Sequence, residues 1–221
     1  MGFIKKDYDP HTHRSAYTLF TPEECISLSK ILHRDESDIL NIPNTDSNSY
    51  EGLTHQFSVY NWLNNPDLQI FDIPRRLFTL PEFQDEKVLY VQCWANILRQ
   101  GENIPLHIHG TSDIAEWKTS QRWSEFYASN TFISGPEDTG TYYNDTYERN
   151  NIGQMHLIGS MVPHEVKTHM SNTPRISMAM DIYHDNHPCI TNAIEESSTN
   201  FISHQSVKNR FKRITNRFNS K

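Results

Sequence analysis

Two histidines one residue apart, His107 and His109 in Leu106-His107-Ile108-His109-Gly110, are the strongest chemical feature of this chain. On a strand, residues i and i+2 project from the same face, so both imidazoles would reach one metal ion. Imidazole suits iron, zinc, copper and nickel, so the pair alone selects no metal, and a solvated surface pair is the plainer alternative. A third histidine, His164, stands far down the chain in Val162-Pro163-His164-Glu165-Val166. Eleven residues beyond it comes Arg175, in Pro174-Arg175-Ile176-Ser177-Met178-Ala179-Met180-Asp181. Arg175 and Ser177 share a strand face amid apolar neighbours. An arginine in that setting needs an anion, and its planar fork grips a carboxylate through two hydrogen bonds. A structural ion pair with an aspartate or glutamate is the plainer alternative.

The elements that must bring these residues together are mostly short strands. Residues 88–98, Val-Leu-Tyr-Val-Gln-Cys-Trp-Ala-Asn-Ile-Leu, are β-branched and aromatic, as a buried strand requires. Strand-like runs follow at 104–109, 126–134, 139–144, 153–159, 162–168 and 175–183, separated by Gly, Pro, Asn and Asp. Such a succession predicts a mainly β sandwich or jelly roll rather than a parallel α/β sheet. Ahead of it, Thr21-Pro22-Glu23-Glu24 reads as an N-cap, a proline in the first turn and early acids, leading into Ile26, Leu28, Ile31 and Leu32. This predicts a helix over 22–33, then a loop over 35–52 and short helical pieces over 66–83. At the other end, Phe211, Ile214 and Phe218 recur at spacings of three and four among Lys208, Arg210, Lys212, Arg213, Arg217 and Lys221. They predict a C-terminal helix docked by an apolar stripe, with a nucleic-acid or membrane contact of the basic tail as the alternative.

With 221 residues, one sizeable core is expected, so the chain is read as a single domain. Helical and loop cladding would occupy 1–86, the β core 87–185 and a polar, basic tail 186–221. The net charge of −7 argues against a nucleic-acid partner outside that tail. Cys25, Cys93 and Cys189 are too scattered for a disulfide framework or zinc ribbon, which fits a reducing, cytoplasmic setting. No window approaches 18 apolar residues, so neither a membrane span nor a signal peptide is expected.

From Tyr90 to Tyr183 the motifs resemble those of the Fe(II)- and 2-oxoglutarate-dependent oxygenases, within them a microbial and phage-type branch. The resemblance is carried by Trp94-Ala95-Asn96-Ile97-Leu98, Gly101-Glu102-Asn103, His107-Ile108-His109, Asn130-Thr131-Phe132-Ile133, Thr139-Gly140-Thr141-Tyr142-Tyr143, Pro163-His164-Glu165-Val166 and Arg175-Ile176-Ser177. It implies a double-stranded β-helix (a cupin-like jelly roll) in which His107 and His164 bind iron. It further implies that 2-oxoglutarate is bound at its far carboxylate by Arg175, with Ser177 adding a hydrogen bond. Asn96, Asn130 and Tyr142 would line the pocket. The implied activity is a dioxygenase, and by extension a hydroxylase. It would couple O2 and oxidative decarboxylation of 2-oxoglutarate to oxidation of a small-molecule or peptidyl substrate, in a host cytoplasm if the chain is phage-encoded.

One position departs from the family pattern. Where the family has an aspartate or glutamate two residues after the first histidine, this chain has His109. Either His109 completes a three-histidine face, or a carboxylate from Asp113, Glu116 or Glu125 takes the place, or water or chloride fills it. Two other readings share the motifs. Gly101, His107-x-His109 and Gly159 to His164 also resemble the spacing of cupins that do not use 2-oxoglutarate. A jelly-roll binding or virion-associated module without catalysis is the other. Arg175 with Ser177 separates the oxygenase from the cupin, and the intact His107, His164 and Arg175 set weighs against the binding module. His11 and His13 form a second His-x-His in a polar arm, and 111–123, flanked by Trp117 and Trp123, reads as a loop beside the metal motif, either a substrate lid or plain surface packing.

Overall fold

The computed structural model describes residues 5–9, 14–40, 61–109, 126–185 and 212–217. In chain order these form β1 (Lys5–Asp9), β2 (Arg14–Thr18), α1 (Pro22–Leu40) and two 3-10 turns (Trp62–Asn64, Pro66–Phe71). Then come α2 (Ile73–Phe78), β3 (Val88–Leu98), β4 (Ile104–His107), β5 (Tyr127–Ser134), β6 (Gly140–Tyr143) and β7 (Thr146–Arg149). The last four are β8 (Gln154–Gly159), β9 (His164–Val166), β10 (Arg175–His184) and β11 (Lys212–Thr215). The strands pair into a seven-stranded sheet, β1-β2-β8-β5-β10-β3-β11, and a four-stranded sheet, β4-β9-β6-β7. This is the double-stranded β-helix expected from the motifs, with antiparallel pairing throughout.

The large sheet is buried on both faces. Its outer face presents Ile176, Met178, Met180 and Ile182 of β10 and Val91, Cys93, Ala95 and Ile97 of β3 to α1 and the short helices, and this layer is the main apolar core. Cys25, Leu28 and Leu32 of α1 recur at spacings of three and four and are fully covered by that face. The helix begins where the sequence predicts: Thr21 Oγ1 accepts from Glu24 N–H at 3.2 Å, and Glu24 Oε2 accepts from Thr21 N–H at 2.8 Å, a capping box. Arg76 of α2 then grips the Glu24 carboxylate and holds it below the ordinary carboxylate range. The inner face of the same sheet carries Arg175, Ser177, Ala179 and Asp181, opposite the small sheet.

Four expectations are corrected. Helix α1 runs to Leu40 rather than to residue 33. The N-terminal segment is not purely helical, because β1 and β2 extend the large sheet beyond β8. Residues 212–215 are a strand, not part of a helix: β11 pairs with the edge of β3, Ile214 opposite Leu89. An open sheet edge offers a row of unpaired N–H and C=O groups, and this demand outweighs the helical spacing of the apolar residues. Finally, β7 was missed. Asn144 and Asp145 both have positive φ, 47° and 68°, and form a two-residue hairpin turn that sends the chain back along β6. Among the described residues no helix is long and apolar enough to cross a membrane.

Gly153 joins the N-terminal segment to this frame. Its N–H donates to Phe132 O at 2.9 Å, and its carbonyl accepts from Leu19 and Phe20 N–H at 2.8 and 3.1 Å. With φ at +76°, a Cβ here would lie 2.0 Å from the Phe20 carbonyl oxygen. Gly153→Ala is therefore expected to destabilise the protein by at least the ~1–3 kcal/mol of a strained left-handed residue. Urea denaturation monitored by tryptophan fluorescence checks this, and an unchanged midpoint would contradict it.

Candidate metal centre

Strands β4 and β9 pair with His107 directly opposite His164, which brings the two rings to 4.2 Å between centroids. His109 lies just past the end of β4, so the pleat does not aim it. Its N–H donates to Ser160 O at 2.8 Å. Its ring is stacked between Trp94 at 5.7 Å and His164 at 5.0 Å, each tilted by 24°. One ring nitrogen from each of His107, His109 and His164 then lies within 4.8 Å of the others.

The tautomers follow from the partners. His107 Nδ1 faces Pro105 O at 2.8 Å and His164 Nδ1 faces Val162 O at 2.9 Å. His109 Nδ1 faces Asp181 Oδ1 at 2.5 Å. Carbonyl and carboxylate oxygens only accept, so each Nδ1 carries the proton and each Nε2 is left with an inward lone pair. The Nε2 atoms of His109 and His164 stand 3.2 Å apart. A proton shared between them satisfies that distance, and so does a metal ion held by both. Two nitrogens each ~2.1 Å from one metal and roughly at right angles would be about 3.0 Å apart, close to what is seen. Burial, and then the neighbouring His107 and His109, hold His164 well below the ordinary histidine range, so it is neutral and free to donate its lone pair at pH 7. This donor set fits a divalent transition metal.

The large sheet supplies the second half of the site. Arg175 has no exposed surface, and burial brings it down to about 10, so it remains a cation at neutral pH. Its Nη1 donates to Ser177 Oγ at 3.3 Å and its Nη2 to Thr141 Oγ1 at 3.2 Å. Asn150, oriented as these donors require, accepts from Nε and Nη2 at 3.1 Å. Every one of these partners is neutral. Among the described residues no carboxylate lies within ion-pair distance of Arg175, so the structural ion pair that would have explained it is not found there. A fully buried cation without a counter-ion is costly, and the carboxylate of a bound ligand would remove that cost.

Against the three histidines lies a cavity of about 270 Å³, lined among others by Trp94, Asn96, Asn130, Thr141, Ala179 and Asp181; Arg175 lines a second cleft and meets this wall through its hydrogen bond to Thr141. Asn96 stands opposite Ser177 in the β3–β10 register, and its buried Oδ1 has no hydrogen-bond partner among the described residues. Asn96 and Asn130 thus share a cavity with the histidines. By the alternation of β6, Tyr142 turns against Tyr147 at 5.2 Å, beneath Lys167, and lines the second cleft together with Arg175. Its neighbours Thr141 and Tyr143 face inward instead. Tyr143 is fully buried, stacks on His164 at 5.9 Å and takes a hydrogen bond from Asn130. Burial pushes its phenol up to about 12. Its hydroxyl meets His156 Nδ1 at 3.2 Å, and burial, then Arg14 and Arg175, push His156 down to about 3. Arg14, itself paired with Glu148 at 2.6 Å, lies over the Tyr143 ring.

Asp113, Glu116 and Glu125, the candidate carboxylate ligands, lie outside the described residues, as do His11, His13 and the segment 111–123. Asp181 and Tyr143 had not been singled out. Both were findable from alternation: Asp181 continues the face begun by Arg175 and Ser177, and Tyr143 shares the face of Thr141.

No family model and no curated protein matches the chain. Solved structures do match. A prolyl-4-hydroxylase of Pseudomonas putida is 11% identical with a TM-score of 0.50, covering 78% of this chain and 93% of its own. SnoN, a non-haem α-ketoglutarate-dependent epimerase from nogalamycin biosynthesis, is 8% identical with a TM-score of 0.54, covering 77% and 76%. HygX of Streptomyces hygroscopicus, solved with nickel and 2-oxoglutarate bound, is 12% identical with a TM-score of 0.51, covering 78% and 82%. At such identities the likeness is one of fold.

Replacing His107 or His164 by alanine is expected to weaken Co(II) binding by more than the ~10–100-fold typical of a lost outer-shell partner. Visible-absorption titration of the metal-free protein reads this, and unaltered affinity in both variants would refute the centre.

Proposed function

We propose that the chain is an Fe(II)- and 2-oxoglutarate-dependent dioxygenase acting as a hydroxylase on a small-molecule or peptidyl substrate. The observation that carries this is a buried arginine without an acidic partner among the described residues, tied through Thr141 to the cavity on which three histidine rings converge. A metal-binding cupin would need only the histidines, and a binding module would need neither. The fold neighbours include a hydroxylase, an α-ketoglutarate-dependent epimerase and a protein solved with metal and 2-oxoglutarate, which supports the class.

When bound, iron and 2-oxoglutarate supply the oxidising chemistry, in which O2 converts the co-substrate to succinate and carbon dioxide while the substrate is oxidised. The protein's part is to bind, orient and exclude water. His107, His109 and His164 would hold the metal, their rings fixed by the Nδ1 bonds to Pro105, Asp181 and Val162. Arg175 would take the far carboxylate of 2-oxoglutarate, with Ser177 and Thr141 as its hydroxyl neighbours. Asn96, already in the cavity wall with an unmet acceptor, would meet a donor of the bound ligands. Trp94 and Ala179 supply apolar wall, which lowers the local dielectric and strengthens each of these polar contacts.

Anaerobic titration of the metal-free protein with Fe(II) and then 2-oxoglutarate is expected to give a weak visible charge-transfer band. In Arg175→Ala, Fe(II) should still bind while 2-oxoglutarate binding weakens by the ~2–5 kcal/mol of a truncated buried charge pair. Iron binding without a band in either protein would favour the cupin chemistry instead. An Arg175→Ala protein with unchanged 2-oxoglutarate affinity would remove Arg175 from the site.

A further inference from the structure

The three histidines are not held alike. His107 and His164 each donate Nδ1–H to a neutral carbonyl two residues earlier in their own strand segment, Pro105 and Val162. His109 instead reaches 72 residues along the chain, to the carboxylate of Asp181 at 2.5 Å. It is also the one histidine that lies beyond the end of its strand, so its ring direction depends on contacts rather than on the pleat. Asp181, for its part, is buried on the inner face of β10, opposite Gln92 of β3 and Ala128 of β5. Among the described residues no lysine or arginine pairs with it, and His109 is the partner of its carboxylate.

We propose that Asp181 is a positioning residue of the metal centre. Through the His109 imidazole it supplies, from outside the coordination shell, the negative charge that an aspartate or glutamate at position 109 would supply from within it. The inference rests on the metal centre assigned above and adds to it the reason that a histidine can stand at position 109. A buried carboxylate needs a compensating charge, and among the described residues no lysine or arginine supplies it. A divalent cation on the far side of that imidazole completes the balance: Asp181 draws on the Nδ1 proton, which makes Nε2 a stronger donor and fixes the ring that carries it. Trp94, stacked on His109 at 5.7 Å, helps to hold the ring in the plane this requires.

Asp181→Asn keeps the side-chain volume and an acceptor oxygen while deleting the charge. Relative to the parent protein it is expected to bind Co(II) ~10–100-fold more weakly, with shifted visible ligand-field bands. In a His109→Ala background the same substitution should have no further effect on Co(II) affinity, because Asp181 acts through that ring. Equal affinity and an unchanged spectrum in Asp181→Asn, or an undiminished effect in the His109→Ala background, would overturn the proposal. A measurement on the unsubstituted protein guards against variants that fail to fold. With Zn(II) bound and histidine labelled with nitrogen-15, one imidazole Nδ1–H should appear well downfield of the other two, as expected for a bond to a carboxylate. Three equivalent Nδ1–H signals would overturn it. Failure of the oxygenase assignment has a different signature: the parent protein would bind Co(II) normally and consume no 2-oxoglutarate with Fe(II).

Discussion

Strand β10 runs between β3 and β5 in a register that sets every polar group of the site. Arg175 faces the end of β3 at Leu98, Ser177 faces Asn96, Ala179 sits between Trp94 and Asn130, and Asp181 lies between Gln92 and Ala128. A slip of one residue would turn these side chains into the apolar layer under α1 and bring Ile176, Met178, Met180 and Ile182 into the cavity. The strand is therefore specified from both faces. Its outer residues are fixed by the core they fill, and that packing holds two opposite charges, Arg175 and Asp181, at fixed separation on the inner face.

This two-faced burial explains what could be seen in the sequence and what could not. The long strands were legible because continuous apolar and β-branched runs are what a strand buried on both faces must be; β3 begins and ends at the predicted residues. His107, His164, Arg175, Ser177, Asn96 and Asn130 were legible because motif and alternation agreed. Gly-Thr-Tyr-Tyr offers two adjacent tyrosines, and the register with β9, which sets Tyr143 opposite His164, gives Tyr143 the face of the histidines and Tyr142 that of the second cleft. Alternation puts Asp181 on the face of Arg175 and Ser177, but its pairing with His109 is not legible. Its partner His109 is 72 residues away and lies outside regular structure, so no local period relates the two. The C-terminal strand β11 was hidden by a true helical spacing in its residues, overridden by the open edge of β3.

The charge inventory of the interior ties both halves of the site to one purpose. Arg175 is a buried cation with neutral partners among the described residues, and Asp181 is a buried carboxylate whose partner there is the His109 imidazole. Each by itself is destabilising. They do not cancel one another directly, since Asp181 is engaged by His109 and Arg175 by Thr141, Ser177 and Asn150. A divalent cation beside His109 and an anionic ligand beside Arg175 would cancel both, and a metal chelated by a dicarboxylate brings the two together in one complex. The protein without them stores a polarised interior, ready for ligands of opposite sign at its two ends.

The same arrangement couples ligand binding to the closure of the fold. His107 and His164 belong to the small sheet, whose strands β4 and β9 contain only four and three residues. His109, which neighbours both of them, contacts Trp94 and Asp181 of the large sheet. A metal held by all three histidines would thus join the two sheets at a point where the smaller one has little hydrogen bonding of its own. Binding free energy at such a site adds to the stability of the sandwich by mass action. The metal would add to the contacts that already join the sheets, among them Arg175 to Thr141, Arg14 to Glu148 and His156 to Tyr143.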